Sequence, residues 1–585
     1  MPRKTHTGLT RLLPYAGGKR GLLTLVVFLA AVSAAAPVAG WHLVGEAIDG
    51  GIRADNEGRL LWTVLAYIGV NAAAWALGTA AWLGLASIGQ RVVLELRRDL
   101  FHHLTALSLR YFSQQKAGWI ISRLTSDVDA LSDVLNQGLT TLAVNSLTFV
   151  AAIAGLFLLD WRLGLVALCV VPPGIVLTRW FQRRSHVAAA EVRTRIAIVT
   201  AQLAESVAGM AVVQAFNRER AFQAEFDGLN ADNRRANITV QKLYSVFFPA
   251  IELLGAVATG AVLYAGARFI DAGTMEIGTV VAAVGLLALV FQPLQELSEL
   301  YGQVQAANAA MDKISSVLDA EVDIADAPHA RPLGRIDGRL ELDRVTFAYG
   351  KEPVLHALEI AVPPGGCIAL VGESGGGKST TAKLIARFYD PGEGAVRVDG
   401  TDLRDVELGS YRRQLGVVLQ DPFLFSGTIA DNIRFARPDA SDEEVRAAAA
   451  AVGVDRVAAR LTGGLDHLVR EGGAGLSAGE RQLISIARAL LADPRILILD
   501  EATSNIDRPT EILIERAFDR LLAGRTSIII AHRLATVRRA DEILVLERGR
   551  IVQRGSEREL LAQEGPFLRL ADGLRTDELR EVPAA

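Results

Sequence analysis

The chain has 585 residues, of which 50% are hydrophobic and 22% are charged, a composition that excludes a disordered chain. Its two cysteines, Cys169 and Cys367, exclude a disulfide framework and any metal site made of several cysteines. The formal net charge of −4 gives no reason to expect nucleic acid as a partner.

The charges are divided unevenly along the chain. Residues 1–330 carry 26 Lys and Arg and 26 Asp and Glu, so 52 of these 330 positions are charged. The remaining 255 residues carry 35 basic and 39 acidic side chains. Because about one quarter of the residues in a soluble domain are charged, we expect lipid around much of the first part and water around the second.

Six stretches of the first part are apolar enough to cross a bilayer, whose core requires about 20 apolar residues per helix. They lie near 21–45, 60–85, 134–159, 161–181, 243–268 and 275–297. The sequence therefore predicts a bundle of six membrane-spanning helices within residues 1–318. Glu252 lies inside the fifth span, where a carboxylate should face a polar cavity. It is the candidate contact for a substrate, and a structural partner near the inner leaflet is the alternative.

The segments between these spans alternate between many and few basic residues. With the N-terminus inside, the inner segments hold 21 Lys and Arg and the outer segments hold four. The inner segments are 1–20, 91–133 and 179–242, and the outer ones are 46–59, 160–162 and 268–276. Because basic residues stay on the cytoplasmic side, we expect a multi-pass protein of the cytoplasmic (inner or plasma) membrane. Its N-terminus and C-terminal half would then lie in the cytoplasm.

The first apolar run follows Arg20 and is too long for the apolar region of a signal peptide, so we expect it to be a retained span. The two long inner segments carry leucine and valine at helical spacing. Helices that extend about 25 residues beyond the bilayer would reach about 35–40 Å into the cytoplasm, although ordinary amphipathic loop helices fit the same pattern. Residues 319–338 lack periodicity and contain Pro, Gly and acidic residues, which predicts a linker before a second domain at 339–578.

A glycine-rich segment in the second part has the pattern of a phosphate-binding loop. The apolar run Ile368–Val371 leads into Gly372-Glu-Ser-Gly-Gly-Gly-Lys378-Ser379, and a helical pattern follows from Thr380. Glycines allow consecutive backbone N–H groups to face phosphate oxygens, and the helix N-terminus adds partial positive charge. Lys378 is expected to reach the β- and γ-phosphates, and the Ser379 hydroxyl to hold Mg²⁺. The predicted nucleotide-binding residues of this segment are Gly372, Ser374, Gly375, Gly376, Gly377, Lys378, Ser379 and Thr380.

Two further strand ends carry residues suited to hydrolysis. The apolar run Ile496–Leu499 ends in Asp500 and Glu501, for which we predict a metal-supporting and a general-base role, respectively. His532 follows the apolar run Ser527–Ile530, and its position at the end of a strand makes a γ-phosphate contact plausible.

The order and spacing of these motifs resemble those of ATP-binding cassette (ABC) proteins along residues 340–575. Leu476–Gln482 resembles the signature motif, Gln420–Phe425 the Q-loop, Ser504–Asp507 the D-loop and Phe347–Gly350 the A-loop. The six preceding spans resemble the fused half-transporter of ABC exporters with the type IV fold. The resemblance implies a membrane α-helical bundle with long cytoplasmic extensions, fused to an α/β P-loop ATP-binding cassette domain.

The resemblance also implies roles for individual residues. Tyr349 would stack on adenine, Gln420 would sense Mg²⁺ and the attacking water, and Asp507 would communicate between two ATP sites. Segments near Phe112–Leu124 and Val213–Phe222 would contact the cassette. The signature residues Ser477 and Gly479, with Glu480 beside them, would act in trans on the ATP of a second half-transporter chain. The implied cofactors are ATP and Mg²⁺, and the catalytic residues are Glu501, His532 and Gln420.

This sequence departs from the family pattern at three positions. Ala478 and Glu480 replace glycine and glutamine of the usual signature, and Gly376 stands where the phosphate loop more often has serine. None of these changes removes a catalytic group, so the chain's own ATP site should be competent. The sequence leaves open whether the second chain is a copy or a different subunit.

The resulting hypothesis is ATP-driven export of an amphiphilic drug, lipid or peptide by alternating access. An ATP-gated channel or a regulatory subunit on the same frame is the alternative, which Glu501 and His532 argue against. The six spans exclude a soluble cassette ATPase, and the fusion of both parts in one chain disfavours an importer.

Overall fold

The computed structural model describes residues 8–16, 20–500, 508–531 and 533–572. By their internal contacts these residues form two compact units. The helical unit comprises Met1–Thr105 and Lys116–Ala320, and the α/β unit comprises Ala106–Gln115 and Glu321–Ala585. The predicted positions Glu501, Asp507 and His532 lie outside the described residues.

The helical unit consists of helices, several of which are much longer than a bilayer is thick. Its segments are Gly8–Leu12, Leu13–Ala16, Arg20–Glu46, Ala47–Ile52, Glu57–Ala106, Ala117–Leu124, Ser126–Asp133, Val134–Gly138, Leu139–Leu159, Trp161–Leu168, Val171–Ala208, Met210–Ala215, Glu219–Asp271 and Ile277–Leu318. Helix Glu57–Ala106 has 50 residues, or about 75 Å at 1.5 Å per residue. A bilayer core of about 30 Å covers less than half of that length.

Five helical stretches among the described residues are long and apolar enough to cross a membrane. They are Gly21–Ile52, Glu57–Ala106, Ala117–Leu159, Trp161–Ala208 and Glu219–Asp271. The first five predicted spans lie within them. For the predicted span 275–297 the described apolar helix is shorter, Ile277–Pro293. The number of six spans therefore stays a prediction.

Aromatic side chains pack two of the long helices together. Phe181 of Val171–Ala208 stacks on Phe247 of Glu219–Asp271 with ring centres 4.1 Å apart, and Tyr244 meets Phe181 edge-on at 5.2 Å. Between Leu139–Leu159 and Trp161–Leu168 the chain turns at Asp160, whose carboxylate accepts the Arg162 N–H at 2.8 Å. A side chain that caps the next helix allows a sharp reversal.

The α/β unit contains twelve described strands, numbered here in chain order. They are β1 (Leu340–Ala348), β2 (Pro353–Val362), β3 (Cys367–Val371), β4 (Glu393–Val398), β5 (Thr401–Asp402), β6 (Leu415–Val418), β7 (Gly427–Thr428), β8 (Leu468–Val469), β9 (Ile496–Asp500), β10 (Thr526–Ile530), β11 (Glu542–Glu547) and β12 (Arg550–Gly555). Its helices are Leu109–Gln114, Lys378–Ile385, Leu403–Asp405, Leu408–Arg412, Ile429–Arg434, Asp442–Val452, Val454–Ala458, Gly464–Asp466, Glu471–Gly473, Ala478–Ala492, Arg508–Leu522, Leu534–Val537 and Glu557–Leu561.

The strands form three sheets. The largest has the order β12-β11-β3-β10-β9-β6, in which β12 alone is antiparallel to its neighbour, and an antiparallel sheet has the order β2-β1-β4-β5. β7 pairs with β8. Ile368 and Leu370 of β3 point into the core shared with the antiparallel sheet, whereas Ala369 and Val371 point into the helix-covered core on the other side. Burial on both faces explains the continuous apolar run in the sequence.

Residues 319–339, all described, contain no helix or strand apart from one bridge that pairs Arg331 with Val406. Helix Ile277–Leu318 ends just before this stretch and β1 begins just after it. The boundaries predicted for the linker and for the second domain stay predictions.

Candidate functional site

The carboxyl end of β3 leads into a tight loop that ends at helix Lys378–Ile385. Gly372, Gly375 and Gly377 have φ angles of 144°, 83° and 104°, a region that residues with a side chain rarely adopt. A Cβ atom on Gly372 would lie 2.1 Å from the Leu546 carbonyl oxygen, so only glycine fits. The loop therefore has the shape of a cradle in which backbone N–H groups can meet an anion.

Lys378 is the first residue of that helix, and its side chain reaches back to the start of the loop. Its ammonium group donates hydrogen bonds to the carbonyl oxygens of Gly372 at 2.7 Å and of Glu373 at 2.9 Å. Burial lowers the pKa of Lys378, and the negative charge of Asp500 partly offsets that effect. A desolvated cation in a glycine cradle is suited to the β- and γ-phosphates of a nucleotide, as predicted.

Asp500 and Gln420 reach the same edge of the sheet as the loop. Asp500 is the last residue of β9, and it pairs in register with Ile530 of β10, which in turn pairs with Leu370 of β3. Gln420 follows β6, the strand on the other side of β9. One strand, β10, lies between β9 and the phosphate-loop strand β3, so these two strands are about 10 Å apart.

The donor set at this edge fits Mg²⁺. The Ser379 hydroxyl, the Gln420 amide and the Asp500 carboxylate offer hard oxygen donors, which Mg²⁺ prefers, and this ion keeps few protein ligands in nucleotide sites. Among the described residues, no group of three His, Cys, Asp or Glu side chains could hold a metal ion.

Tyr349 follows β1 and lies beside the phosphate-loop helix. Its hydroxyl is 3.2 Å from the Thr380 hydroxyl, and its ring meets Tyr389 edge-on with centres 5.2 Å apart. Lys383 places its ammonium 5.8 Å from the same ring. Tyr349 is 37% exposed. An exposed ring fixed next to the phosphate loop is suited to stacking on a nucleobase.

The predicted signature residues lie at the start of helix Ala478–Ala492. Ser477 caps this helix by accepting the Glu480 N–H at 3.3 Å, and the Glu480 carboxylate accepts the Ser477 N–H at 2.9 Å. Arg460 pairs with the same carboxylate at 3.3 Å. Glutamine could complete the same capping box, so the ion pair with Arg460 is the contact that requires glutamate at position 480. Gly479 is buried in the first turn.

Glu252, the predicted substrate contact, lies on helix Glu219–Asp271 and is exposed, whereas its neighbour Ile251 is fully buried. Ser374 and Gly375 lie exposed in the phosphate loop, and Ser379 is also exposed. For Glu501, Asp507 and His532 the assigned roles stay predictions.

A contact that the sequence analysis missed involves Arg110. This residue belongs to the short helix Leu109–Gln114 inside the α/β unit. Its guanidinium lies 5.8 Å from the centre of the Tyr389 ring and 3.6 Å from the Asp323 carboxylate. Arg110 is therefore linked through Tyr389 to Tyr349. Arg110 lies two residues before the first predicted contact region, Phe112–Leu124, of which only residues 112–115 belong to the α/β unit. The second region, Val213–Phe222, belongs to the helical unit.

Comparisons with known proteins cover both units. Residues 23–294 match the family described as the ABC transporter transmembrane region, and residues 355–504 match the family described as ABC transporter. An uncharacterised ABC transporter ATP-binding protein of Bacillus subtilis is 36% identical over 95% of this chain and 93% of its own length. An ATP-dependent lipid A-core flippase of Syntrophus aciditrophicus is 34% identical over 90% and 88%. A multidrug efflux ATP-binding/permease protein of Mycobacterium bovis is 37% identical over 94% of this chain and 46% of its own length.

Proposed function

The chain belongs to the ABC transporters, and we propose that it is one half of a dimeric exporter that moves an amphiphilic substrate out of the cytoplasm. Hydrolysis of ATP at the cassette would drive alternating access in the helical bundle. The printed functions of two relatives, multidrug efflux and flipping of lipid A-core, support a substrate of this amphiphilic kind.

One observation carries this proposal. A phosphate loop with its buried lysine occurs in the same chain as five helical stretches, counted over the described residues, that are long and apolar enough to cross a membrane. ATP hydrolysis alone does not require membrane-spanning helices, and a passive pore does not require a phosphate loop. The combination indicates a protein that uses ATP hydrolysis to move a substrate across a bilayer.

The residues of the loop and the sheet edge have separate tasks in hydrolysis. The backbone N–H groups of the loop and the Lys378 ammonium would bind the phosphates and neutralise charge on the oxygens. Glu501, which follows Asp500, would take the proton from the attacking water, and Gln420 with His532 would orient that water and the γ-phosphate. Mg²⁺, held by Ser379, Asp500 and Gln420, would supply further positive charge.

A second chain is needed to complete each ATP site. The signature residues Ser477 and Gly479 would bind the γ-phosphate of ATP on the partner chain, because the start of helix Ala478–Ala492 carries partial positive charge. The distribution of basic residues supports placing both cassettes in the cytoplasm and the bundle in the cytoplasmic membrane.

Transport into inside-out proteoliposomes tests the proposal. We expect ATP-dependent accumulation of at least one amphiphilic probe from a set that includes a drug-like cation, a fluorescent phospholipid and an apolar peptide. Lys378→Ala should abolish both ATP binding and accumulation, and Glu501→Gln should abolish turnover but leave ATP binding intact. ATP-dependent ion currents without accumulation would contradict the exporter and support the channel alternative.

A further inference from the structure

An open cavity of about 970 Å³ lies near one end of the helical unit. Helices Arg20–Glu46, Leu139–Leu159 and Ile277–Leu318 contribute to its wall. Small side chains make the room, namely Ala35, Ala39, Ala151, Ala154 and Gly155. A cavity of this size lies at the upper end of the range that suits a drug-sized ligand.

Charged side chains line another part of the cavity. Glu46, Asp49, Glu276, Arg59 and His42 all line it. With His42 neutral, these groups carry a formal charge of −2. These side chains lie in or near the segments 46–59 and 268–276. The distribution of basic residues along the chain predicts that both segments face away from the cytoplasm.

Two of the three carboxylates already have partners. Glu46 pairs with Arg59 at 2.9 Å. Asp49 accepts the Gly278 N–H at 2.9 Å and lies 3.6 Å from the Arg53 guanidinium. These contacts connect the helix ends to each other, so we assign both acids a structural role.

Glu276 differs from the other two acids. It precedes helix Ile277–Leu318 without capping it, and its carboxylate has no hydrogen bond or ion pair to any other residue in the described ranges. Glu276 is exposed and lines the cavity, so its charge is available to a ligand there. A ligand that is complementary to this charge and to the small apolar side chains of the wall is a cation with an apolar body.

We propose that this cavity binds a cationic amphiphile, with the positive group against the Glu276 carboxylate and the apolar body against the small side chains. The inference rests on the proposed export function and gives that function a substrate class. It also moves the expected acidic contact from Glu252 to Glu276, since Glu252 is not among the described residues that line this cavity.

Two probe ions of the same shape and opposite charge, tetraphenylphosphonium and tetraphenylborate, test the proposal by equilibrium dialysis against the purified full-length protein. We expect the protein to bind tetraphenylphosphonium more tightly. Glu276→Gln should weaken this binding about fivefold, as for an exposed ion pair of about 1 kcal/mol, and leave tetraphenylborate binding unchanged. Glu276→Asp keeps the charge and should retain most of the affinity.

Two further variants separate charge from shape. Glu252→Gln also removes one carboxylate from the helical unit and should leave the binding of both ions unchanged. Ala154→Leu fills the apolar end and should weaken both ions alike. Unchanged phosphonium binding in Glu276→Gln, or an equal loss in Glu252→Gln, would overturn the proposal.

Failure of this site and failure of the exporter give different results. If ATP drives accumulation of a probe but Glu276→Gln leaves phosphonium binding unchanged, the exporter stands and the cavity assignment falls. If phosphonium binding depends on Glu276 but ATP drives no accumulation, the cavity assignment stands and the proposed function falls. A thermal midpoint close to that of the wild type shows that Glu276→Gln is folded.

Discussion

Lys378 shows how a single residue couples charge to ligand binding. It is 5% exposed, and its ammonium is held by two carbonyl oxygens of its own loop. Burial lowers the pKa of Lys378, because the charged form loses its hydration. The buried charge thus costs stability below this lowered pKa, and the cost declines as the pH rises from there to the ordinary lysine pKa of the unfolded chain. A phosphate close to the ammonium would favour the charged form and raise the pKa again.

We therefore expect ATP binding to take up protons at alkaline pH. The uptake should grow as the pH rises from neutral into the window between the lowered pKa of the free protein and the higher pKa of the complex. Calorimetric titration with ATP in two buffers of different ionisation heat measures it. Lys378→Arg keeps a cation that does not titrate in this range and serves as the control, so equal uptake by both proteins would contradict the prediction.

At the scale of elements, four described helices of the α/β unit begin with a capping box, and three of these boxes pair a serine with a glutamate. Ser441 with Glu444, Ser477 with Glu480, and Ser556 with Glu559 exchange the same pair of hydrogen bonds. A capping serine contributes about 1 kcal/mol to its helix. The start of helix Ala478–Ala492, which Ser477 caps, is also proposed to bind the ATP held by a second chain.

Ser441→Ala and Ser477→Ala should separate the two tasks. Each should lower the thermal midpoint of the protein by about 2–4 °C, because each removes one cap. We expect a clear loss of ATP hydrolysis in Ser477→Ala alone. Thermal unfolding and steady-state hydrolysis on the same preparations measure both effects, and an equal loss of hydrolysis in Ser441→Ala would show that Ser477 acts through helix stability.

Arg110 gives a second prediction at the scale of elements. Helix Glu57–Ala106 ends three residues before helix Leu109–Gln114, in which Arg110 contacts Tyr389 and Asp323. We expect Arg110→Ala to reduce the stimulation of ATP hydrolysis by a transported probe more than the basal rate. Arg344→Ala, which removes an exposed arginine paired with Asp343 in the same unit, is the matched control. Equal stimulation in wild type and Arg110→Ala would contradict the prediction.

Local patterns predicted the strand and the helix on either side of the glycine-rich loop, whereas features that depend on the three-dimensional arrangement were missed. The expected strand Ile368–Val371 is part of β3 (Cys367–Val371), and a helix follows the glycines, because the apolar run and the glycines determine this structure locally. The partner of Glu480 was missed, although a capping box is readable from a serine followed three residues later by glutamate. Glu276 could not be predicted, because the sequence does not show which carboxylate faces a cavity and which has a partner.

At the scale of the whole molecule, each chain carries one phosphate loop and one signature helix. If these act on the same ATP only between chains, then damage to one motif in one chain and to the other motif in the partner leaves one complete site. Lys378→Ala disables the loop, and Ser477→Arg disables the signature position. If each chain formed its ATP site alone, one chain would lack a working loop and the other a working signature. Neither chain would then have a complete site.

Co-expression of two differently tagged chains, one with Lys378→Ala and one with Ser477→Arg, distinguishes these arrangements. Each variant alone should be inactive. The mixture should recover roughly a quarter of the wild-type ATP hydrolysis, because half of the random dimers are mixed and each has one complete site of two. Purification through both tags in sequence should enrich the active species. No recovery in doubly purified dimers would contradict the site between chains, and failure of the two tags to co-purify would identify a different partner subunit.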